Sequence, residues 1–149
     1  MTKILFVCHG SICRSPMAEF ILKDMVNKLG VASEFEIASA ATSTEEIGNP
    51  IYYAARRVLV QHGIACDGHY ARQLTRADGA YYDLLIGMDN ANIRNMKRIC
   101  PQADDKIRLL LSYTQRPEEV DDPWYSGDFQ EAWQDIYEGC RGLLDSLNR

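Results

Sequence analysis

The sequence is short of positive charge and of long apolar runs. Its 149 residues contain 16 Lys and Arg against 21 Asp and Glu, so the formal net charge is −5 at pH 7. Because no run of basic residues offsets the acidic ones, we expect neither nucleic acid nor an anionic membrane as a partner. No apolar segment approaches the roughly 20 residues of a membrane-spanning helix, and the few residues before Cys8 are too short for a signal peptide. We therefore expect a cytoplasmic protein.

The sequence also lacks a cysteine framework. Its five cysteines are an odd number scattered along the chain, unlike the cysteines of a secreted disulfide-bonded domain. A zinc site on Cys8, His9 and Cys13 would lack a second pair of ligands to complete a tetrahedral set. We therefore expect neither a metal nor a cofactor. The chain has no repeat, linker or low-complexity tract, and its length fits one domain with its own core.

The stretch KILFVCHGSICRSPMAE, residues 3–19, combines a buried strand, a short loop and a helix start. An apolar run predicts the strand, Gly10 marks the loop, and helical periodicity begins at about Pro16. A loop that leads into a helix N-terminus directs backbone N–H groups and the positive end of the helix dipole at one spot, which favours an anion. Cys8 lies at the mouth of that spot, where a thiolate is favoured, and the planar fork of Arg14 suits two oxygens of a tetrahedral oxyanion. This pattern suggests attack by sulfur on a bound phosphoryl group.

The rest of the chain alternates helices and strands. Apolar periodicity, with Gly and Pro as stop and start signals, predicts helices at residues 16–29, 50–61, 89–99 and 129–147. After the first strand, strand patterns occur at residues 35–40, 82–88 and 107–111. Strands that alternate with helices predict a parallel sheet with helices on both faces. Ligands of such sheets bind at the carboxyl ends of the strands, which is where Cys8 falls.

Two segments together resemble a known family. VCHGSICRSPMAE near the start and DDPWYSGDF near the end resemble the low-molecular-weight protein tyrosine phosphatases, and the similarity extends over the whole chain. The resemblance implies a single phosphatase domain over residues 1–149. It also implies an α/β three-layer sandwich, in which a four-stranded parallel sheet of order 2-1-3-4 carries helices on both faces. The implied partners are tyrosine-phosphorylated protein substrates, together with inorganic phosphate or similar oxyanions.

Asp122 is the candidate general acid and base. A phenol that leaves phosphorus gathers negative charge, so a carboxylic acid over the loop can protonate it and later deprotonate the attacking water. Pro123 biases Asp122 toward an extended backbone, which suits an arm over a pocket. Asp122 matches the Asp before Pro in the family's signature, whereas Asp121 has no counterpart in that role. The resemblance implies hydrolysis of phosphotyrosine through a cysteinyl phosphate on Cys8, with Arg14 as the phosphate clamp.

Four more residues have expected roles, of which the bond from Ser15 to sulfur and the roles of Ser11 and His69 follow from the resemblance. Ser15 is expected to cap the first helix and to hydrogen-bond the sulfur of Cys8. Ser11 replaces the family's usual Asn, a residue that tolerates the left-handed conformation and ties the loop to a buried His. His69 matches that His and is expected to give structural support through a network that is weaker or rebuilt around Ser11. Cys13 could be an inert packing residue, but it lies in the same short loop as Cys8, and we expect it to capture an oxidised Cys8 as a reversible disulfide, which would make the enzyme redox-sensitive.

The remaining candidates line the pocket. Trp124 and Tyr125, next to the proposed acid, are expected to form one wall for a planar aromatic ring. The opposite wall is expected from the polar loop 42–50, where Glu45 takes a position that is often aromatic in the family. The residues of the phosphate loop expected to contact the substrate are His9, Gly10, Ser11, Ile12 and Cys13.

Three alternatives share parts of this pattern. An arginine-phosphatase branch of the same family carries Thr where this chain has Ile12, and isoleucine lacks a hydroxyl that could hydrogen-bond a guanidinium. An arsenate reductase needs a close pair of further cysteines, whereas Cys66 and Cys100 are 34 residues apart. A non-catalytic phosphoanion-binding module would not require both Cys8 and Asp122. Because Ile12 offers an apolar surface, we expect a preference for phosphotyrosine over phosphoarginine.

Overall fold

A four-stranded parallel sheet forms the middle of the molecule. The structure is a computed structural model that describes residues 1–116 and 118–147. The strands are β1 (Thr2–Cys8), β2 (Phe35–Ala41), β3 (Leu84–Gly87) and β4 (Ile107–Leu109). They lie in the order β2-β1-β3-β4, and every pairing is parallel. The expected order 2-1-3-4 is confirmed, and it places the end of β1 between two neighbouring strands.

Helices connect the strands. The α-helices are α1 (Arg14–Lys28), α2 (Tyr53–Gln61), α3 (Arg76–Tyr81), α4 (Asn90–Ile99), α5 (Pro123–Ser126) and α6 (Phe129–Ser146). Short 3₁₀ segments lie at Ala32–Glu34, Pro101–Lys106 and Leu110–Tyr113. Within the described part of the chain, no helix combines the length and the apolar character that crossing a bilayer requires.

β1 shows how both faces of the sheet are covered. Ile4 and Phe6 point into a core that is shared with α1, α2 and α6, while Leu5 and Val7 point into a second core that includes residues of α4. Side chains alternate across a strand, so an unbroken apolar run means that both faces are buried. The expected three-layer α/β sandwich is therefore confirmed.

α1 begins two residues earlier than expected. Its first residue is Arg14 rather than Pro16, and the amide of Met17 donates to the carbonyl of Cys13 at 3.1 Å. Pro16 falls within the first turn, where helix N–H groups have no intrahelical partner, so its missing donor costs nothing. The early start brings Arg14 to the helix N-terminus.

α2 begins three residues later than expected. It starts at Tyr53 rather than Pro50 because Tyr52 is extended, with φ −58° and ψ 138°, and its amide donates to the carbonyl of Ile12 at 2.9 Å. This tertiary hydrogen bond ties the start of α2 to the loop after β1. The patterns could not indicate it, because its partners are 40 residues apart.

The sequence patterns did not predict α3, and they predicted a longer β3 than the structure has. Thr75 Oγ1 accepts from the amide of Asp78 at 3.3 Å, and Asp78 Oδ2 accepts from the amide of Thr75 at 2.8 Å. This capping box starts a helix that extends to Tyr81 and leaves Tyr82 as its C-cap. Strand pairing therefore begins only at Leu84, although the predicted strand began at Tyr82.

Two glycines let α6 pack closely on the chain after β4. A Cβ on Gly139 would lie 2.5 Å from Leu110 Cγ, and a Cβ on Gly142 would collide with the carbonyl of Tyr113. The chain turns into a 3₁₀ segment here, so β4 ends at Leu109 rather than at residue 111. The cost of glycine in a helix, about 0.5–1 kcal/mol each, is offset by this close contact.

Candidate active site

The sulfur of Cys8 lies at the carboxyl end of β1, where hydrogen-bond donors converge. Cys8 is 3% exposed. The amides of Ser11 and Ser15 donate to its Sγ at 3.3 and 3.4 Å, and the thiol donates to the hydroxyl of Ser15 at 3.2 Å. Once the thiol ionises, the Ser15 hydroxyl can turn and donate to sulfur as well. These donors and the start of α1 therefore direct partial positive charge at the sulfur.

Ser15 does not cap α1, contrary to expectation. Cys13 is the N-cap residue, and no side chain accepts a capping hydrogen bond there. Ser15 is instead the second residue of the helix, and its hydroxyl also donates to Ser11 Oγ at 2.9 Å. Its side chain therefore hydrogen-bonds the sulfur and the loop, because the N-cap position falls two residues before Ser15.

Arg14 is held in one orientation beside Cys8. Its Nη1 donates to Asp89 Oδ2 and to the carbonyl of Val120, both at 2.8 Å, and its Nη2 donates to Asp122 Oδ2 at 3.5 Å. Burial opposes the charge of this guanidinium, but the negative charges of Cys8, Asp122 and Asp89 outweigh burial and raise the pKa of Arg14. The side chain is a fixed cation that is oriented before any oxyanion binds.

Asp122 is anchored at one carboxylate oxygen and faces Arg14 with the other. Its Oδ1 accepts from the amide of Trp124 at 3.0 Å, which makes it the N-cap of α5, a helix that the sequence patterns did not indicate. Pro123 is the first residue of that helix, and Asp122 has the extended backbone that a following Pro favours, with φ −77° and ψ 111°. Its side chain remains 27% exposed.

A cavity of about 240 Å³ opens at these groups. It is smaller than the roughly 300–1,000 Å³ of pockets that enclose whole small ligands, so it suits a single side chain. Its lining consists of Cys8, His9, Gly10, Ser11, Ile12, Cys13, Arg14, Glu45, Glu46, Asp122, Trp124 and Tyr125. Of the expected site residues, only Ser15 and His69 lie behind this lining. The residues described include no group of three or more His, Cys, Asp or Glu that could hold a metal ion.

Comparison with known proteins identifies the family. The model of the low molecular weight phosphotyrosine protein phosphatase family matches residues 3–149. The chain belongs to this family. The low molecular weight phosphotyrosine protein phosphatase of Rattus norvegicus is 40% identical over 97% of this chain and 95% of its own length. The crystal structure of YfkJ from Bacillus subtilis matches with a TM-score of 0.96 and 38% identity, over 99% of this chain and 95% of that one. The crystal structure of an arginine phosphatase from Drosophila, DARP, matches with a TM-score of 0.90 and 29% identity, over 99% of both chains.

The family also identifies the chemistry. Matching relatives from rat and Bacillus subtilis are named phosphotyrosine protein phosphatase and protein-tyrosine-phosphatase. The present chain is therefore a protein-tyrosine phosphatase, a hydrolase whose substrates are phosphorylated proteins.

Two side chains hold Ser11 in the phosphate loop of this phosphatase. Ser11 is fully buried and has a φ of 56°, a left-handed conformation that costs a non-glycine residue about 1–2 kcal/mol. His69 Nε2 donates to the carbonyl of Ser11 at 2.7 Å, and the hydroxyl of Ser15 donates to Ser11 Oγ. The carbonyl and the hydroxyl of Ser11 are therefore each held by a hydrogen bond, one from His69 and one from Ser15.

Glu19 holds His69 from the other side. Its Oε1 accepts from Ser39 Oγ at 2.6 Å and lies 3.7 Å from His69 Nδ1, while its Oε2 accepts from Lys23 Nζ at 2.6 Å. Burial raises the pKa of this carboxyl group, but hydrogen bonds from His69, Lys23 and Ser39 outweigh burial and hold the pKa below its usual value. Glu19 is therefore an ionised anchor, and it was not among the expected residues.

The loop 42–50 gives the cavity a charged wall. His9 Nε2 donates to Glu45 Oε2 at 2.7 Å, and both side chains are more than half exposed. Glu46 also lines the cavity, and a Cβ on Gly10 would lie 3.2 Å from Glu46 Cγ, so its stem packs on the phosphate loop. Glu45 was expected here, whereas Glu46 was not, because the contact of Glu46 with Gly10 is formed only in the folded chain.

Cys13 differs chemically from Cys8. Burial raises the pKa of the Cys13 thiol to about 12, and the negative charges of Cys8 and Asp122 add to this effect. Cys13 therefore remains a thiol at neutral pH.

Asp89 is a site residue that the sequence analysis treated only as a helix cap. It does cap α4, because its Oδ1 accepts from the amide of Asn92 at 2.7 Å. Its Oδ2 accepts from Arg14. Asp89 follows the end of β3, next to β1 in the sheet, so the rule that places ligands at strand ends could have indicated it.

Proposed function

We propose that this phosphatase hydrolyses phosphotyrosine through a cysteinyl-phosphate intermediate. The thiolate of Cys8 attacks phosphorus, the bond from phosphorus to the phenolic oxygen breaks, and Asp122 gives its proton to that oxygen. Asp122 then takes a proton from water as the water oxygen attacks phosphorus, and the sulfur of Cys8 leaves as a thiolate. The observation that carries this proposal is the convergence of Cys8, Arg14 and Asp122 on one cavity.

Arg14 and the loop amides are assigned to the transition state. Donors that are already aimed at developing charge need no reorganisation, and one such donor typically contributes about 10²–10³-fold to kcat. Asp89 and Val120 hold Nη1 of Arg14, which supports a preset orientation of the fork. Ser15 is assigned to the sulfur, which it stabilises both as the attacking and as the leaving group.

The cavity wall supports phosphotyrosine as the substrate. Trp124 and Tyr125 line the cavity, and a phenyl ring that stacks on such a wall gains about 0.5–1.5 kcal/mol beyond the burial of its area. Phosphoserine is too short to bring its phosphorus to Cys8 while its backbone stays outside. We therefore assign to this enzyme tyrosine-phosphorylated proteins as substrates and inorganic phosphate as an oxyanion ligand.

Phosphoarginine is the second candidate substrate, favoured by the similarity to the Drosophila arginine phosphatase. Ile12 lines the cavity of the present enzyme, and its apolar side chain cannot hydrogen-bond a guanidinium. A panel of phosphotyrosine, phosphoserine and phosphoarginine peptides tests the assignment by kcat/KM. Phosphotyrosine is expected to be preferred, and Ile12→Thr to narrow or reverse the preference over phosphoarginine. Equal rates on both substrates in the wild type would refute the assignment.

An arsenate-reductase role finds no support in the remaining cysteines. Cys66 is buried in the core on one face of the sheet, and Cys100 is buried in the core on the other. They cannot pass a disulfide between them without crossing the sheet. The cysteines therefore favour the phosphatase over the arsenate reductase.

Replacement of the nucleophile tests the proposed mechanism. Cys8→Ser is expected to abolish turnover of p-nitrophenyl phosphate but to keep the binding of inorganic phosphate, because the amides and Arg14 remain. Cys66→Ser, which changes a buried cysteine outside the cavity, serves as the control and is expected to keep wild-type turnover. Activity of Cys8→Ser within tenfold of wild type would refute the covalent mechanism. If the wild-type enzyme itself shows no turnover, a non-catalytic phosphoanion-binding module would be favoured.

Three further assignments accompany this function. We propose that residues 1–149 form a single phosphatase domain, since one sheet carries both cores and the site. We also propose that Cys13 protects Cys8 against oxidation. The expectations of a cytoplasmic location, and of neither nucleic acid nor membrane as a partner, stay predictions.

A further inference from the structure

Aromatic rings continue from the cavity wall onto the surface. Trp124 lines the cavity and is 53% exposed. The ring of Tyr52 meets it edge-on, with centroids 4.8 Å apart, and the ring of Tyr53 lies 4.7 Å beyond Tyr52. Tyr53 is 63% exposed. Trp124, Tyr52 and Tyr53 thus form a continuous row, here called the aromatic strip, that begins at the substrate cavity and ends in solvent.

The aromatic strip is held in place before anything binds to it. The amide of Tyr52 donates to the carbonyl of Ile12, a residue of the cavity lining, at 2.9 Å. The ring of Tyr52 also stacks on Phe129 at the start of α6, with centroids 5.9 Å apart. The guanidinium of Arg57 lies 5.8 Å from the ring centre of Tyr53. A surface that is ordered in advance loses less conformational entropy when a ligand covers it.

Some of the large exposed apolar side chains lie in or near the cavity wall. Among the described residues, these side chains include Tyr53 and Trp124 of the strip, Tyr125 of the cavity lining, and Ile47 of the loop that carries Glu45. Single exposed apolar residues are ordinary, but a group of them beside a pocket marks an interaction surface. Because this group adjoins the cavity, the ligand that covers it is most simply an extension of the ligand in the cavity.

We propose that the aromatic strip is a subsite for an apolar side chain, preferably aromatic, that lies within two residues of the phosphotyrosine in the protein substrate. This inference rests on the proposed function, because a phosphotyrosine bound at Cys8 brings its neighbours to the cavity mouth. An extended peptide advances about 3.3 Å per residue. Two residues therefore span roughly 6.6 Å, and an aromatic side chain adds the further reach needed to cover the ring-to-ring steps of 4.8 and 4.7 Å from Trp124 to Tyr53.

Charge at the cavity mouth favours the same kind of neighbour. Glu45 and Glu46 line the cavity, so an acidic residue next to the phosphotyrosine meets like charge. An aromatic neighbour avoids that repulsion and can stack on Tyr53. The subsite therefore contributes specificity among peptide substrates. A small phosphorylated phenol has no neighbouring side chain, so its turnover does not detect this specificity.

A peptide series in the wild-type enzyme is the first arm of the test. Each peptide carries one phosphotyrosine in a Gly and Ser background, with a single Phe at position −2, −1, +1 or +2, and a reference peptide has no Phe. At least one Phe peptide is expected to exceed the reference by about 2- to 10-fold in kcat/KM, the stacking energy of an aromatic pair expressed as a ratio. Equal kcat/KM for all five peptides would overturn the inference.

Variants of Tyr53 form the second arm. Tyr53→Ala is expected to remove the gain from Phe while keeping the turnover of the reference peptide and of p-nitrophenyl phosphate. Tyr53→Phe retains the ring and is expected to retain the gain. Tyr81→Ala is the matched control, since Tyr81 is 47% exposed but hydrogen-bonds Glu36 on β2 rather than bordering the cavity. A gain that survives in Tyr53→Ala would assign the preference to other residues and overturn the subsite.

The two arms separate this inference from the proposed function. If wild-type enzyme turns over p-nitrophenyl phosphate without preferring any Phe peptide, the function stands and the subsite is refuted. If it turns over neither substrate, the function fails and the subsite fails with it. A flat peptide series, together with dimers that Tyr53→Ala dissociates in analytical ultracentrifugation, would instead assign the strip to self-association.

Discussion

Replacement of Asp89 by Asn should separate the orientation of Arg14 from the stability of the fold. Asn caps a helix about as well as Asp, so α4 keeps its N-cap. The hydrogen bond from Arg14 Nη1 at 2.8 Å, however, changes from a charged acceptor to a neutral one. Arg14 keeps its own charge, so the bond stays charge-assisted at the donor, but losing the carboxylate charge removes the ion pair and is expected to cost roughly 1–1.5 kcal/mol of orientation. That corresponds to about a tenfold fall in kcat.

The assay for Asp89→Asn compares kcat on p-nitrophenyl phosphate with inhibition by inorganic phosphate. The affinity for inorganic phosphate, measured as the inhibition constant, should not decrease, because the variant removes one negative charge from the surroundings of the bound anion. Asp89→Ala removes the acceptor altogether, so it should lose at least as much kcat, and it should also lose the cap, about 1 kcal/mol, which lowers the Tm by about 2–4 °C in a chain of this size. A kcat of Asp89→Asn within twofold of wild type would show that Asp89 does not orient Arg14.

Three further predictions concern the acid, the second cysteine and the strained serine. Asp122→Ala should lower turnover of phosphotyrosine by about 10²–10⁴-fold and that of p-nitrophenyl phosphate by less, since nitrophenolate leaves without a proton; equal losses would place the acid elsewhere. At pH 7, iodoacetamide should alkylate Cys8 and spare Cys13, whose pKa of about 12 keeps it a thiol. After peroxide treatment, mass mapping should find a Cys8–Cys13 disulfide, and Cys13→Ser should recover less activity on reduction than wild type. Ser11→Gly should be more stable to urea than Ser11→Ala by about 1 kcal/mol, because both lose the bond from Ser15 but only Gly relieves the left-handed backbone; equal stabilities would mean that residue 11 is not strained.

The part of the site that is local in sequence was predictable. Cys8 and Arg14 lie six positions apart, across a strand end, a Gly and a helix start, and each of these features has its own signal in the sequence. Asp122 was predictable because Pro123 follows it and because the family has Asp before Pro. The sheet order came from the family resemblance alone, since periodicity identifies strands but does not order them.

The parts that depend on tertiary contacts were not predictable from patterns. Asp89 contacts Arg14 from 75 residues away, and Glu46 reaches Gly10 only after the loop 42–50 folds back. The start of α2 was misplaced for the same reason, because the amide of Tyr52 bonds to the loop rather than within a helix. α3 is different, since its Thr75 and Asp78 capping box is a local signal that the analysis overlooked.

The most direct test of the cysteinyl-phosphate mechanism is to trap the phosphorylated enzyme. Wild-type enzyme and ³²P-labelled phosphotyrosine peptide are mixed, quenched within milliseconds and mapped by mass spectrometry. The mechanism predicts that the label is bound to the sulfur of Cys8, that Asp122→Ala alters its lifetime, and that Cys8→Ser carries none. Label on another residue, or wild-type turnover with no label on Cys8 at any quench time, would contradict it.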